Sequence, residues 1–341
     1  MKKIINNVEN IAAEMVSGFV KTNPDKFKQL PETLAVARVD DDFVNGTNVG
    51  VVSGGGSGHE PAFLGYLGEN MIDAVAIGYV GKGMLSAAIA GQVNTSPTPD
   101  QIYKAIKYAD KGKGVLLIVK NYAGDVMNFD MAKELAEFDD ITVKTIIVND
   151  DISVEDAEDT QGKRGVAGTV LVEKICGAAA QNGMDLNSLA ELGQKVIDNT
   201  KTIGLALSAA TVPAVGHPGF KLAEDEMEYG VGIHNERGYA TEKLAPSAVI
   251  ANELVNRIMK AFGSTNGEFA ILVNGLGATP LMEQYIFAND VVNKLNELNI
   301  KISFAKVGNM VTAIDMHGIS LTITKLENDW KSYLRQDAQT V

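Results

Sequence analysis

Short runs of apolar residues alternate with longer segments whose apolar positions recur every three to four residues. A short apolar run that ends in Gly, Asn or Ser is typical of a buried strand, and the longer period is typical of an amphipathic helix. Six runs predict strands, at 48–53, 114–119, 143–148, 203–208, 269–274 and 301–307. Five segments predict helices, at 100–106, 125–138, 167–181, 246–262 and 281–298.

This alternation predicts an α/β fold with two domains, each a mostly parallel sheet flanked by helices. A chain of 341 residues is long enough for two domains, since single cores rarely grow beyond roughly 250–300 residues. Polar turn residues at 181–183 follow one predicted helix, and Asp185 can cap the next. We therefore predict an N-terminal domain at 1–182 and a C-terminal domain at 183–341.

The chain is acidic, with a net charge of −13. Such a charge disfavours nucleic acids and anionic membranes as partners and favours neutral small molecules. The first residues lack the pattern of a signal peptide, and no stretch approaches the roughly 20 apolar residues of a membrane span. The single cysteine, Cys176, lies in an apolar helical pattern, which predicts a buried thiol in a reducing compartment. We expect a cytoplasmic protein.

The strand at 48–53 runs into a glycine-rich segment, SGGGSGHEP, at 53–61. Glycines let backbone N–H groups approach a ligand closely, which suits a phosphate or a small polyol. The segment lacks both the GK[ST] ending of a P-loop and the GxGxxG spacing of dinucleotide folds. The glycines alone are as consistent with a plain turn as with a ligand loop. His59 favours the ligand loop.

Ligands of parallel α/β sheets bind beyond the carboxyl ends of the strands. Segments 54–59 and 120–125 each follow a predicted strand, so both are expected to face one crevice. For Asp125 the alternative is a helix N-cap before Val126, and for Lys120 it is a solvated position at the strand end.

The remaining three histidines differ in their surroundings. His217 and His317 lie in turn-like segments, and a structural role is the better interpretation of each. His234 ends the glycine-rich segment EMEYGVGIH and could project from a strand end into a cleft. No HExxH, HxH or CxxC spacing supports a metal site, which leaves nucleophilic or acid–base chemistry, although spacing alone favours an ordinary structural histidine.

A tandem repeat follows the glycine segment. Residues 65–77, GYLGENMIDAVAI, resemble residues 78–90, GYVGKGMLSAAIA. The unit is too short and too isolated for a solenoid, so we interpret it as a local insertion. We expect a surface loop or helix extension at the rim of the crevice, on the partner-docking surface, because insertions there cost little loop entropy.

Seven segments together resemble the dihydroxyacetone-binding K subunits of dihydroxyacetone kinases that depend on the phosphotransferase system. They are SGGGSGHEP, TSPTPDQIY, IVKNYAGDVMNF, GKRGVAGTVLVEKI, TVPAVGHPGF, EMEYGVGIH and NGLGATPL. The resemblance implies that His234 traps C2 of dihydroxyacetone as a hemiaminal, with His59 and Asp125 completing the catalytic set. It implies that the substrate's hydroxyls are held by Gly56, Ser57, Gly58, His59, Lys120 and Asp125.

The chain shows no Walker motif and no kinase-type set of lysine and aspartates. The resemblance implies that this chain holds no cofactor or metal. It implies that an L subunit carries ADP with Mg²⁺ and that an M subunit recharges the ADP from phosphoenolpyruvate. We therefore expect this chain to be inactive alone. The resemblance and the frequency of homodimers among soluble enzymes imply a homodimer.

Four positions depart from the family's pattern. Asn235 and Arg237 replace a Gly and a Pro after the covalent histidine, and Gln92 and Asn94 stand where Glu and Phe are common. These changes leave the substrate-binding positions intact, but they could alter the surface that contacts the L subunit. The alternative interpretation is a coactivator that binds dihydroxyacetone and signals it to a transcriptional regulator without phosphorylating it.

Overall fold

A computed structural model describes residues 3, 5–61, 82–154, 162–264 and 266–338. The strands are β1 (Phe27–Gln29), β2 (Ala35–Arg38), β3 (Gly50–Ser57), β4 (Ala87–Val93), β5 (Val115–Lys120), β6 (Val143–Val148), β7 (Thr200–Ser208), β8 (Glu226–Tyr229), β9 (Ala240–Lys243), β10 (Glu268–Gly275), β11 (Lys301–Gly308) and β12 (His317–Leu326). The helices are α1 (Ile11–Thr22), α2 (Asp41–Val44), α3 (Pro99–Ala109), α4 (Ala123–Phe138), α5 (Thr169–Gln181), α6 (Leu186–Asp198), α7 (Ser247–Phe262), α8 (Leu281–Glu297) and α9 (Trp330–Arg335). The six predicted strands and five predicted helices are confirmed.

The first sheet has the strand order β1-β2-β4-β3-β5-β6. Strands β4, β3, β5 and β6 pair in parallel, and β1 and β2 join the edge in antiparallel pairs. Alternate residues of β5 enter two cores: Leu117 packs with α3 and α4, and Leu116 packs with α1, α5 and α6. Because both faces are covered, the central strands are continuously apolar, which is why the sequence pattern revealed them.

The second sheet has the order β11-β10-β12-β7-β8-β9. Of its five pairs, β10–β11 is parallel and the other four are antiparallel. The α/β class with two helix-flanked sheets is confirmed, but the expectation of mostly parallel pairing is wrong for this sheet. Two of the antiparallel pairs involve β12, which was not predicted and which inserts between β10 and β7, and the other two involve β8 and β9, which were not predicted either.

A shared apolar layer joins the two sheets. Residues of α5 pack against Leu116 of β5, and the same cluster contains Leu272 of β10. Cys176 lies in this layer and is fully buried, as predicted. Asp185 caps α6 by accepting hydrogen bonds from the backbone N–H groups of Asn187 and Ser188, as predicted. Helix α6 packs against β6, although it follows residue 182; the domain boundary there stays a prediction.

Most of the tandem repeat, residues 65–81, lies outside the described residues. The end of its second copy is described and forms the start of β4, where residues 87–90 are buried between β2 and β3. The expectation of a surface insertion is therefore wrong for this part of the repeat. Its backbone pairs with both neighbouring strands, so this part of the repeat belongs to the core of the first sheet.

None of the described helices is both long enough and apolar enough to cross a lipid bilayer.

Candidate functional site

The glycine segment forms the end of β3 and the turn that carries His59. A Cβ at Gly56 would lie 2.6 Å from the backbone N of Thr95, so only glycine allows this close approach of two chains. Gly58 has a φ of +108°. Its carbonyl O accepts a hydrogen bond from Ile314 N at 2.7 Å. The loop that precedes β12, a strand of the second sheet, therefore holds the glycine turn in place through a backbone hydrogen bond.

His59 is buried, with an exposed fraction of 1%. Its Nδ1 lies 2.7 Å from the carbonyl O of Thr312, and because a carbonyl only accepts, Nδ1 carries a proton. Burial, and secondarily the charge of His234, lowers the pKa of His59 well below its usual value. His59 is therefore neutral, with an unprotonated Nε2. This Nε2 lies 2.9 Å from Nε2 of His234.

His234 follows β8 and has a side-chain exposed fraction of 23%. Its ring meets the rings of His59 and Tyr122 edge to face, at centroid separations of 4.6 and 4.5 Å. These two contacts restrict the rotation of the imidazole between the sheets. By contrast, His217 is exposed and His317 pairs with Glu283, with 3.0 Å between Nε2 and Oε2.

Asn235 makes the turn after His234 in the left-handed region, with a φ of +69°. Its side-chain amide accepts a hydrogen bond from Ala210 N at 2.8 Å and donates one to Ala210 O at 3.0 Å. Asparagine tolerates this backbone conformation better than other residues with a Cβ. The replacement of the family's usual glycine therefore preserves the turn and adds two hydrogen bonds.

Glu236 reaches back from this turn. Its Oε2 accepts a hydrogen bond from the backbone N of His234 at 2.8 Å, and its Oε1 lies 3.6 Å from Nδ1 of His234. Burial opposes ionisation of Glu236, but the interaction with His234 and the charge of Arg164 outweigh it and lower the pKa of Glu236 to about 2. Sequence analysis missed this carboxylate; its position two residues after the histidine was the available signal.

Lys120, at the end of β5, is buried and not solvated. Burial lowers its pKa to about 8, against the opposing charges of Glu173, Asp125 and Asp150. Glu173 stands in the otherwise apolar face of α5, and burial raises its pKa to about 7 despite Lys120. A charged residue in an apolar helix was a signal that sequence analysis overlooked.

Asp125 is the third residue of α4 and not its N-cap, since the helix begins at Ala123. The carboxyl group is buried, and no described residue forms a hydrogen bond with its Oδ1. Burial raises the pKa of Asp125, against a hydrogen bond from Ser96 and the charges of Lys120 and His234. An ionisable oxygen without a partner in a buried position is what a proton-accepting site requires.

The structure thus brings four of the predicted site residues, His59, Lys120, Asp125 and His234, close together where the sheets meet. His59 and His234 touch, and Lys120 and Asp125 lie near enough to influence them electrostatically. The Ser57 hydroxyl donates to the carbonyl O of Gly91 at 2.6 Å, so it serves the loop itself. Across the described ranges, no three His, Cys, Asp or Glu side chains are arranged to hold a metal ion. The arrangement suits nucleophilic addition with proton transfer.

Comparisons with known proteins match this chain to the Dak1 domain family over residues 17–78 and 75–341. The two matches overlap within the tandem repeat. The chain is 53% identical to the PTS-dependent dihydroxyacetone kinase, dihydroxyacetone-binding subunit DhaK, of Lactococcus lactis subsp. lactis (strain IL1403), covering 100% of this chain and 98% of the relative. It is 39% identical to the DhaKLM operon coactivator DhaQ of the same organism, covering 97% of each.

Two solved structures are similar throughout. The dihydroxyacetone kinase from C. freundii in complex with AMP-PNP and Mg²⁺ superposes with a TM-score of 0.88 at 33% identity, covering 99% of this chain and 60% of that chain. The dihydroxyacetone kinase operon co-activator Dha-DhaQ superposes with a TM-score of 0.84 at 38% identity, covering 94% of both chains.

Proposed function

Because this chain belongs to the Dak1 domain family, we propose that it is the dihydroxyacetone-binding subunit of a dihydroxyacetone kinase that depends on the phosphotransferase system. It captures the triose covalently on His234 and presents it to a partner that phosphorylates it. The observation that carries the proposal is the 2.9 Å contact between Nε2 of His59 and Nε2 of His234, with Lys120 and Asp125 buried nearby.

Capture proceeds by addition of His234 to the ketone. The starting state has one proton on Nδ1 of His234 and one on its Nε2, which donates to the unprotonated Nε2 of His59. His59 takes the Nε2 proton, and the freed electron pair of Nε2 of His234 forms a bond to C2. The π electrons of the carbonyl move to its oxygen, which takes the proton from His59 and leaves His59 neutral again. The charge of the site is unchanged, because the adduct keeps the Nδ1 proton. Glycerol offers the same hydroxyls but no carbonyl, so bond formation discriminates between the two.

The first sheet holds and activates the captured triose. The backbone N–H groups of Gly56 and Ser57 and the ammonium group of Lys120 bind its hydroxyls. The N–H of Gly58 donates to Oε2 of Glu60 at 3.0 Å, so Gly58 reaches the triose only if this hydrogen bond is exchanged. Asp125 accepts the proton of the hydroxyl that attacks phosphorus, and the burial that raises its pKa makes it a better base at neutral pH.

The phosphoryl group comes from outside this chain. We infer an L subunit that carries ADP and Mg²⁺ and an M subunit that recharges the ADP from phosphoenolpyruvate. The chain acts as a homodimer in the cytoplasm, binds neither nucleic acid nor membrane, and is inactive without these partners.

Native mass spectrometry of the full chain with dihydroxyacetone tests capture. Wild type is expected to gain the mass of one triose, and His234→Ala is expected to gain none. The matched control is His217→Ala, which removes an exposed histidine. An adduct of unchanged abundance in His234→Ala would contradict the proposal.

The second candidate is a coactivator that senses dihydroxyacetone. It is supported by the 39% identity to DhaQ and by the TM-score of 0.84 to the coactivator structure. An assay of phosphoenolpyruvate-dependent phosphorylation with purified L and M subunits separates the two. Turnover supports the kinase subunit, whereas capture without turnover supports the coactivator.

A further inference from the structure

Glu236 approaches the proposed nucleophile from the side opposite His59. Its two carboxylate oxygens face the backbone N and the ring Nδ1 of His234, at 2.8 and 3.6 Å. We propose that Glu236 is a positioning residue that keeps a proton on Nδ1 of His234, so that Nε2 is the nitrogen with the free electron pair. The inference rests on the proposed covalent role of His234.

The two ring nitrogens of His234 face competing acceptors. Because Nδ1 of His59 donates to Thr312 O, the Nε2 of neutral His59 can only accept, and it lies 2.9 Å from Nε2 of His234. This contact draws a proton onto the Nε2 that must attack the ketone. A protonated Nε2 has no electron pair to donate. A carboxylate at Nδ1 opposes the pull, because it favours the tautomer in which the last proton stays on Nδ1.

The backbone at 232 leaves room for this carboxylate. A Cβ at Gly232 would lie 2.1 Å from Oε2 of Glu236 and 2.6 Å from Nη1 of Arg164. Arg164 is itself anchored, since its Nε donates to Asp151 Oδ2 at 2.8 Å and its Nη2 donates to Gly230 O at 2.9 Å. The absence of a side chain at 232 therefore lets a fixed guanidinium and the carboxylate share one space beside His234.

The same carboxylate serves the adduct. Once Nε2 is bonded to C2 and Nδ1 keeps its proton, the imidazole ring is positively charged. Glu236 is ionised at neutral pH, since its pKa is lowered to about 2, so it provides the counter-charge. Stabilisation of the charged ring favours the adduct over free ketone, and this contribution vanishes when the carboxylate becomes an amide.

The test is Glu236→Gln in the full chain, with ¹⁵N-labelled histidine observed by NMR without triose. The His234 signals are assigned by their loss in His234→Ala. We expect Nδ1 to be protonated in wild type and the proton to shift to Nε2 in the neutral ring of Glu236→Gln. With dihydroxyacetone, adduct formation in the variant should weaken about 10–100-fold, by analogy with the loss of a carboxylate that orients a metal-ligating histidine.

Gly232→Ala provides a second variant that retains the charge. Its Cβ displaces the carboxylate from His234, so it should shift the tautomer in the same direction as Glu236→Gln. Glu224→Gln removes an exposed carboxylate and is the matched control, expected to behave as wild type. Thermal melting of each variant identifies loss of the fold.

The inference is wrong if folded Glu236→Gln and Gly232→Ala both keep the Nδ1 proton and capture triose like wild type. Absence of an adduct in wild type would instead overturn the proposed function. The tautomer measured without triose distinguishes the two failures.

Discussion

Each of the two sheets contributes one histidine to the candidate site, but the surroundings of the two rings differ. His59, from the first sheet, is enclosed and bonded to a backbone carbonyl. His234, from the second, is about a quarter exposed and lies against an ionised carboxylate supported by Arg164. Burial is the dominant influence on the first histidine, whereas fixed charges lie beside the second.

The pKa shifts of the site residues also differ between the two sheets. Burial is the largest influence on His59, Lys120, Asp125 and Glu173, and it shifts the pKa of each toward the neutral form. At Glu236, ion pairing outweighs burial. For Lys120, Asp125 and Glu173 this shift brings the pKa nearer neutrality, where a group exchanges protons readily, whereas a carboxylate far from its pKa acts as a constant charge. These differences support the proposal that groups of the first sheet transfer protons and that Glu236 on the second orients the nucleophile.

The largest expected effect tests proton transfer on the first sheet. Asp125→Asn should reduce turnover with the partner subunits by about 10²–10⁴, the usual cost of losing a general base. Capture on His234, followed by mass spectrometry, should persist because it does not require this base. Asp130→Asn, an exposed aspartate on the same helix, is the control. Full turnover in Asp125→Asn would show that Asp125 is not the base for phosphoryl transfer.

An intermediate effect is expected from pH. Lys120 is charged below its pKa of about 8 and loses its proton above it. Under the proposed function the charged ammonium group binds a triose hydroxyl, so affinity should fall as pH rises through 8, by at most about tenfold per unit. Titration calorimetry from pH 7 to pH 9.5 measures the decrease. In Lys120→Met, affinity should be lower at pH 7 and should lack this decrease; the same decrease in both proteins would exclude Lys120 as its source.

The smallest expected effect concerns the turn on the second sheet. Asn235→Ala places a residue less tolerant than Asn at a φ of +69° and removes two hydrogen bonds to Ala210. Urea unfolding should show a loss of about 1–3 kcal/mol in the free energy of unfolding. Asn235→Gly loses the same hydrogen bonds but tolerates the backbone, so it should be less destabilised. Equal losses in the two variants would show that backbone conformation contributes nothing there.

Much of the fold could be predicted because buried strands and amphipathic helices follow local patterns. β12 escaped because Ser320, Thr322 and Thr324 interrupt its apolar run. These side chains are buried, and Thr324 and Thr322 lie within hydrogen-bond distance of Thr200 and Thr202 on β7. The polar face becomes compatible with the core only when a second polar strand lies beside it, which no local pattern reveals.

Some residues of the candidate site could likewise be predicted from the sequence, and others could not. His59, Lys120 and Asp125 follow from the rule that ligands bind at the carboxyl ends of strands, and His234 follows from the family resemblance. Glu236 and Glu173 did not follow, because their importance depends on what lies beside them. A glutamate in a helix or a turn is ordinary until another ionisable group is buried near it.

The sequence by itself determined the helices, the central strands, the glycine turn and the chemical types of the site residues, because these depend on neighbours a few positions away. Only the tertiary structure decided which groups meet. His59 touches Thr312 and His234, which lie 253 and 175 positions further along the chain. The proton on Nδ1 of His59 and the burial of Lys120 both arise from such contacts. They exist only once the two sheets have packed together, because a side chain's pKa and tautomer depend on solvent and charges brought near by folding.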